Sequence, residues 1–189
     1  DAIEDAPCQA SPSIAHAADL SACADTPSGD TCSLECSPGW QASQADIACE
    51  YGVWDPAATC SPIVFQVNEN MSLAEDLAVA RLELASGITL SLADGVALSV
   101  GELTLAPGSE LGNASAHLSL AVGDSATLSG DARIVASQLT LSGGDWSLDD
   151  TASIAANLDA DVRSLNVCPD CVITASGQGH PATAGPGGA

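Results

Sequence analysis

From residue 82 onwards, apolar and polar positions alternate in short bursts that are separated by turn-forming residues. The stretch from Leu82 to Val100, LELASGITLSLADGVALSV, contains three bursts, which Ser-Gly and Asp-Gly separate. Alternation with a period of two is typical of half-buried strands, and these dipeptides are typical of tight turns. Similar bursts follow at intervals of about seven residues, which suits a short strand plus a turn.

If every third burst is grouped, the bursts form three ladders, that is, series whose successive members lie roughly 19 to 24 residues apart. This is the length of a solenoid coil of three strands and three turns. The ladders run through positions 82, 103, 126 and 146, through 88, 110, 133 and 152, and through 96, 118, 139 and 163. The sequence therefore predicts an all-β fold in which residues 62–176 form a right-handed parallel β-helix of about five three-strand coils. Residues 62–80 are predicted to form a first coil with less regular register. An antiparallel β-sandwich is the alternative, because the same glycine turns suit hairpins.

Composition favours the solenoid. Hydrophobic residues make up 46% of the chain, but aromatic residues only 3%. In a solenoid each inward position stacks on a similar residue one coil away, so aliphatic side chains can fill a narrow interior. We therefore expect a core of Leu, Val, Ile and Ala.

The first 60 residues have a different character, since they contain six of the eight cysteines. A segment of this size buries too little apolar surface to be stable without staples, and disulfides are the usual ones. We place the domain boundaries at 1–61 for a cysteine-rich module, 62–176 for the β-helix, and 177–189 for a glycine-rich tail or a continuation. Six cysteines allow 15 pairings, and spacing does not select among them.

The segment CSPGWQASQADIACEYGVWDPAATC resembles the second half of a sushi module, also called a complement control protein module. The matching residues are Cys36, Gly39, Trp40, Cys49, Gly52, Trp54 and Cys60. The resemblance implies the bridges Cys8–Cys49 and Cys36–Cys60, with Cys23 and Cys32 left to pair with each other. Cys32 in place of Cys36 as the family's second cysteine is the alternative. The module is expected to serve as a folded spacer rather than a binding module, because no hot-spot cluster stands out.

Cys168-Pro-Asp-Cys171 admits three interpretations: a redox dithiol, half of a zinc site, or a local disulfide. A redox motif normally opens a helix in a βαβ unit, and zinc needs two further ligands. We therefore predict a disulfide that locks a corner.

The chain carries 25 acidic residues against three arginines and no lysine, with a formal net charge of -22. This charge excludes nucleic acid and anionic membranes as partners, and no segment predicts membrane insertion. Cysteine density predicts an extracellular, secreted or cell-surface protein. Acceptor motifs for N-glycosylation at Asn70 and Asn113 agree with that location.

No catalytic site, metal site or cofactor is predicted. The histidines His16, His117 and His180 are scattered, and the arginines fall on different ladders. Asp149 with Asp150, or Asp159 with Asp161, could supply paired acids, but acids are too abundant here for proximity to be informative. Calcium stays a weaker option, since acidic corners offer oxygen ligands.

We expect a secreted structural or adhesive protein, a glycosylated building block of a fibre, matrix or cell-surface assembly. An abrupt solenoid end would show unpaired strand groups and an apolar cross-section. We therefore expect either that the sequence is a fragment of a longer chain or that a neighbouring subunit covers the end, by self-assembly into a homo-oligomer or filament. One alternative is a carbohydrate-binding or polysaccharide-cleaving β-helix protein with glycan partners. The other is a ligand-binding protein that acts through its sushi-like module.

Overall fold

The computed structural model describes residues 6–174, which form two compact units that divide between Ile63 and Val64. The sequence boundary was placed at about residue 61. The predicted tail of residues 177–189 lies outside the described residues. Apart from one 3-10 turn at Ser21–Cys23, all regular structure in residues 6–174 is β-structure.

The N-terminal unit contains two small antiparallel sheets. Its strands are β1 (Thr31–Ser33), β2 (Trp40–Ala42), β3 (Asp46–Glu50), β4 (Val53–Trp54) and β5 (Cys60–Pro62). One sheet has the order β1-β3-β4, and β2 pairs with β5 in the other. A few side chains, among them Ile47 and Leu34, make up the buried core. So small a core is stable only with covalent support, which three disulfides provide.

The second unit is one sheet of 11 strands that wind around a common core. The strands are β6 (Val64–Val67), β7 (Met71–Leu73), β8 (Leu77–Leu84), β9 (Thr89–Leu92), β10 (Ala97–Leu105), β11 (Glu110–Leu128), β12 (Arg133–Ser142), β13 (Asp145–Leu148), β14 (Ser153–Asp161), β15 (Ser164–Val167) and β16 (Val172–Thr174). Every pairing between them is parallel. The predicted solenoid of about five turns is thereby confirmed, and the sandwich alternative is wrong.

The structure confirms the register of the first predicted ladder. Leu82 pairs with Leu103, Leu103 with Ala126, and Ala126 with Trp146. The column extends to Phe65 at one end and to Leu165 at the other. Residues 64–79 form a complete first coil in register with the second.

The other two predicted ladders need correction. In the second, Thr89 and Ser153, rather than residues 88 and 152, take the positions in register with Glu110 and Arg133. In the third, Leu158 of β14 pairs with Leu139, whereas position 163 precedes β15, which stacks on β13. The segment from 157 to 161 was missed because its only large apolar side chain is Leu158.

Trp146 departs from the expected aliphatic interior. It is 1% exposed and is the largest of the fully buried side chains. Ala126 stands in the same column one coil earlier, so a small residue precedes a large one. The indole Nε1 donates a hydrogen bond to the carbonyl oxygen of Gly143, at 3.3 Å, which satisfies its polar atom.

Neighbouring coils approach closely where β10 bends at Gly101. A Cβ atom built there would lie 2.5 Å from the carbonyl oxygen of Ala80. The equivalent corner one coil later has Gly123, where the nearest heavy atom to such a Cβ is the Cα of Gly101, at 3.5 Å. Glycine is therefore required sterically at the first of these corners.

Candidate functional site

The cysteines form four disulfides, and no free cysteine is present in residues 6–174. The bridges are Cys8–Cys49, Cys23–Cys32, Cys36–Cys60 and Cys168–Cys171. The first three have the pairing that the resemblance implied, and Cys32 does not replace Cys36. The last closes a turn in which the Cys171 amide donates to the Cys168 carbonyl oxygen, at 3.2 Å. Four bridges indicate an oxidising environment.

The turn closed by Cys168 and Cys171 belongs to a series at one corner of the coils. Equivalent hydrogen bonds, from the fourth residue's amide to the first residue's carbonyl, close the turns at 85–88, 106–109, 129–132 and 149–152. The backbone N–H of the residue after the turn also donates a hydrogen bond to the preceding coil. For example, the Val172 N–H donates to the Ala152 carbonyl oxygen, at 3.1 Å. The bridge therefore fixes the corner of the last described coil.

The three arginines are held in ion pairs between coils. Arg81 contacts Glu102 at 2.6 Å, Arg133 contacts Glu110 at 2.7 Å, and Arg163 contacts Asp145 at 2.9 Å. They are all the arginines of the chain, and lysine is absent. Each cation thus neutralises an acid that the stacking brings close to it, although such exposed pairs add little stability.

Polar side chains that precede strands accept hydrogen bonds from backbone N–H groups of the next coil, and so act as caps. Oδ1 of Asp94 accepts hydrogen bonds from the backbone N–H of His117, at 2.7 Å, and from its imidazole Nδ1, at 2.9 Å. These bonds, the backbone one first, hold the pKa of the Asp94 carboxyl below its usual range. Asp76 accepts in the same way from Ala97 N–H, at 2.8 Å. Sequence reasoning missed these caps, whose signal is an Asx residue just before a strand.

Asn70 and Asn113, the predicted glycosylation acceptors, are both exposed on the solenoid. Oδ1 of Asn70 accepts a hydrogen bond from the Thr89 N–H, at 2.8 Å, so this side chain also caps the next coil. Oδ1 of Asn113 accepts from the Ser115 N–H within its own motif, at 3.0 Å. Their modification stays a prediction.

The two histidines of residues 6–174 that were considered as catalytic belong to different units. The rings of His16 and Trp40 stack with centroids 3.5 Å apart, in the N-terminal unit, while His117 pairs with Asp94 in the solenoid. His180 lies outside the described residues. No group of three or more metal-binding side chains is found in residues 6–174. The absence of catalysis stays a prediction, as does the calcium option.

Of the two acid pairs that were considered, one lies at a corner and the other on a strand. Asp149 accepts a hydrogen bond from the Ser147 hydroxyl, at 2.9 Å, and Asp150 has a positive φ of 59° in the same turn. Asp159 and Asp161 are exposed in β14, two positions apart. The first pair lies together in a turn and the second lies together at exposed positions of one strand, which explains why the two acids of each pair are close.

One outer surface of the solenoid carries no charge over several coils. Small outward side chains stack in register here; they are Ala78, Ser99, Ala121 and Ser142 in one column and Ala97, Ser119 and Thr140 in the next. Asp161 and Asp159 end these columns in β14. The surface is therefore smooth and uncharged on a strongly acidic chain.

The last described coil exposes side chains that point into the core in earlier coils. Leu165, Val167 and Ile173 are 36%, 38% and 37% exposed. They are in register with Trp146, Leu148 and Ile154, which are fully buried. β15 pairs with β13, and no second partner strand for it is found in residues 6–174. This coil thus has an apolar surface beside a strand edge that no other strand of residues 6–174 covers.

Comparison of the chain with protein-family models, with curated proteins and with solved structures finds no match. Within residues 6–174, no helix has the length and hydrophobicity needed to cross a membrane. The class that the geometry defines is a disulfide-bonded β-solenoid with a small cysteine-rich β-unit.

Proposed function

We propose that this chain is a secreted structural or adhesive protein that self-assembles through the last described coil of its solenoid. The observation that carries the proposal is the exposure of Leu165, Val167 and Ile173 beside the edge of β15. Exposed apolar surface next to a strand edge favours association with another strand.

The occupant of this edge is a second copy of the chain. β15 has the sequence Ser-Leu-Asn-Val and contains no charged residue, whereas the chain as a whole carries a formal net charge of -22. Natural proteins usually protect strand edges with charges or proline, and β15 has neither. Two copies of this acidic chain can therefore meet at this edge without bringing charged side chains of the strand together.

The N-terminal unit is proposed to be a sushi-like module. Support comes from the bridges Cys8–Cys49 and Cys36–Cys60 and from the antiparallel pairing of its short strands. The indole of Trp54 is half-buried and donates to the Ala10 carbonyl oxygen, at 2.6 Å. In this role the module is a rigid spacer in an extracellular assembly, and glycans at Asn70 and Asn113 add to solubility.

Sedimentation velocity of the full chain over a range of concentrations tests the self-assembly. We expect the wild type to form larger species as concentration rises, and Val167→Lys to stay monomeric because it places charge at the edge. Thr104→Lys is the matched control, since it adds the same charge at an exposed outward position on an inner coil. Circular dichroism verifies that both variants stay folded.

A wild type that stays monomeric at every concentration would overturn the proposal, as would equal association of Val167→Lys and wild type. Electron microscopy then separates the two symmetries. Contact between two last coils gives closed dimers, whereas contact of the last coil with a different surface gives filaments.

A further inference from the structure

The hairpin between β3 and β4 presents an exposed aromatic residue at its tip. Tyr51 is 60% exposed and Val53 is 65% exposed, and no large hydrophobic side chain in residues 6–174 exceeds them. Tyr51 and Gly52 form the two-residue loop, with φ values of 52° and 78°. Two positive φ values are typical of a type I′ turn, in which Asn, Asp and Gly are the favoured residues.

The tyrosine is fixed in this unfavourable conformation by its surroundings. Its backbone N–H donates to Oγ of Ser28, at 3.0 Å, and the strands on both sides are paired. A bulky residue with positive φ is an outlier that persists only where the fold imposes it. The side chain of Tyr51 is therefore largely exposed at the hairpin tip.

A groove of about 520 Å³ lies beside this tip. Its lining includes Tyr51, Trp54, Glu50 and Asp55. Trp54 pairs with Cys49, whereas Glu50 pairs with Val53, so the Trp54 indole, which donates to the Ala10 carbonyl oxygen, faces the other side of the hairpin. The groove therefore combines the aromatic side chain of Tyr51 with two carboxylates.

The carboxylates of this groove have no ion-pair partner in residues 6–174. Oδ1 of Asp55 accepts from the Ala57 N–H, at 2.9 Å, and Oδ2 from the Gln44 amide, at 3.0 Å. These bonds, the backbone one first, lower the pKa of Asp55 and keep its carboxyl ionised at neutral pH. Glu50 is exposed. Residues 1–63 contain no lysine and no arginine, so this unit has no side chain of its own to neutralise them.

We propose that this groove binds an arginine side chain of a partner protein. A guanidinium is planar, stacks on aromatic faces and donates hydrogen bonds to carboxylates, so it matches both kinds of group that line the groove. The uniformly acidic unit attracts such a segment from a distance. This site is independent of the proposed self-assembly edge, since it lies in the other unit.

Isothermal titration of the full chain with the peptide acetyl-Gly-Arg-Gly-amide tests the site, with the lysine and citrulline peptides as comparisons. We expect the arginine peptide to bind more tightly than the lysine peptide, and the uncharged citrulline peptide to bind most weakly. Tyr51→Gly is expected to weaken arginine binding by roughly fivefold, through loss of the ring. Glycine suits the turn better than tyrosine, so this variant keeps the fold.

A second variant tests whether binding depends on the groove itself or only on the general negative charge of the unit. Glu50→Gln removes one charge from the groove, and Asp25→Asn removes one from an exposed position of the same unit outside it. We expect roughly a fivefold loss for the first and less than a twofold loss for the second. Equal losses for both, unchanged binding in Tyr51→Gly, or no binding of the arginine peptide would overturn the proposal.

Discussion

The close approach of coils at Gly101 leads to a sharp prediction about stability. In Gly101→Ala, the new Cβ would lie 2.5 Å from the carbonyl oxygen of Ala80. The oxygen belongs to the backbone and the Cβ is attached directly to it, in paired strands whose register is fixed on either side by Val100 with Val79 and by Glu102 with Arg81. The contact cannot be relieved by a side-chain rotation, so the two coils must move apart locally.

The size of the effect follows from two opposing contributions. Forced overpacking of a well-packed structure costs about 1–3 kcal/mol. Replacement of glycine by alanine also stabilises by about 0.4–1 kcal/mol through the unfolded state. No positive φ is recorded at Gly101, so backbone strain adds nothing to these contributions. We therefore expect a net loss of about 1–2 kcal/mol in the free energy of unfolding.

Gly123→Ala is the matched control, because the same substitution at the next coil meets only ordinary contact, at 3.5 Å. It is expected to be neutral or to stabilise by up to about 1 kcal/mol. Urea denaturation followed by circular dichroism measures both variants. If Gly101→Ala proves as stable as Gly123→Ala, the reasoning from coil spacing is refuted.

Three further predictions concern a cap, the core and the terminal bridge. Asp94→Ala should lower the urea midpoint at neutral pH, because it removes the ionised carboxylate that accepts the hydrogen bonds from His117. Since the native pKa of Asp94 is depressed, the difference in stability between this variant and wild type should shrink as pH falls below about 3.9. A difference that does not depend on pH would contradict this role of Asp94. Ala126→Leu should destabilise by about 1–3 kcal/mol, and combination with Trp146→Leu should cost less than the sum of the two single changes in a double-mutant cycle; strict additivity would argue against shared space in that column. Replacement of both cysteines of the Cys168–Cys171 bridge by serine should lower the free energy of unfolding by about 2 kcal/mol or less, as expected for so short a loop. It should also speed hydrogen exchange in the last described coil. Unchanged exchange would count against the role of the bridge in fixing this corner.

The coil repeat was predictable where large aliphatic residues mark the inward positions. Leu82 and Leu103 stand in bursts that sequence alone identifies, and their spacing gave the correct register. The strand from residue 157 to 161 was not predictable in this way, since the residue in register with the buried Leu141 is Ala160, a small side chain that gives little hydrophobic contrast. Position 146 was correctly placed on the first ladder, but an aromatic ring in the interior was not expected, because its fit depends on the space that Ala126 leaves in the coil below.

The surfaces were less predictable than the fold. The pairing of an arginine with an acid about one coil away, such as Arg133 with Glu110, depends on register to within one residue. The prominence of Tyr51 follows from its backbone conformation, which neither hydrophobicity nor spacing reports. Its only sequence signal is the dipeptide Tyr-Gly between two short β-segments, where Asn-Gly would be expected.

The coil-to-coil register also makes the solenoid adjustable in length. Glu102 and Ser125 occupy equivalent positions on successive coils, so residues 102–124 constitute one interchangeable unit. Joining Gly101 directly to Ser125 would remove a whole layer, while each flanking layer would still meet a neighbour of the same shape. The solenoid would then become shorter by about 4.8 Å, the spacing between adjacent strands. Loss or duplication of repeats therefore changes the span of the solenoid in discrete increments.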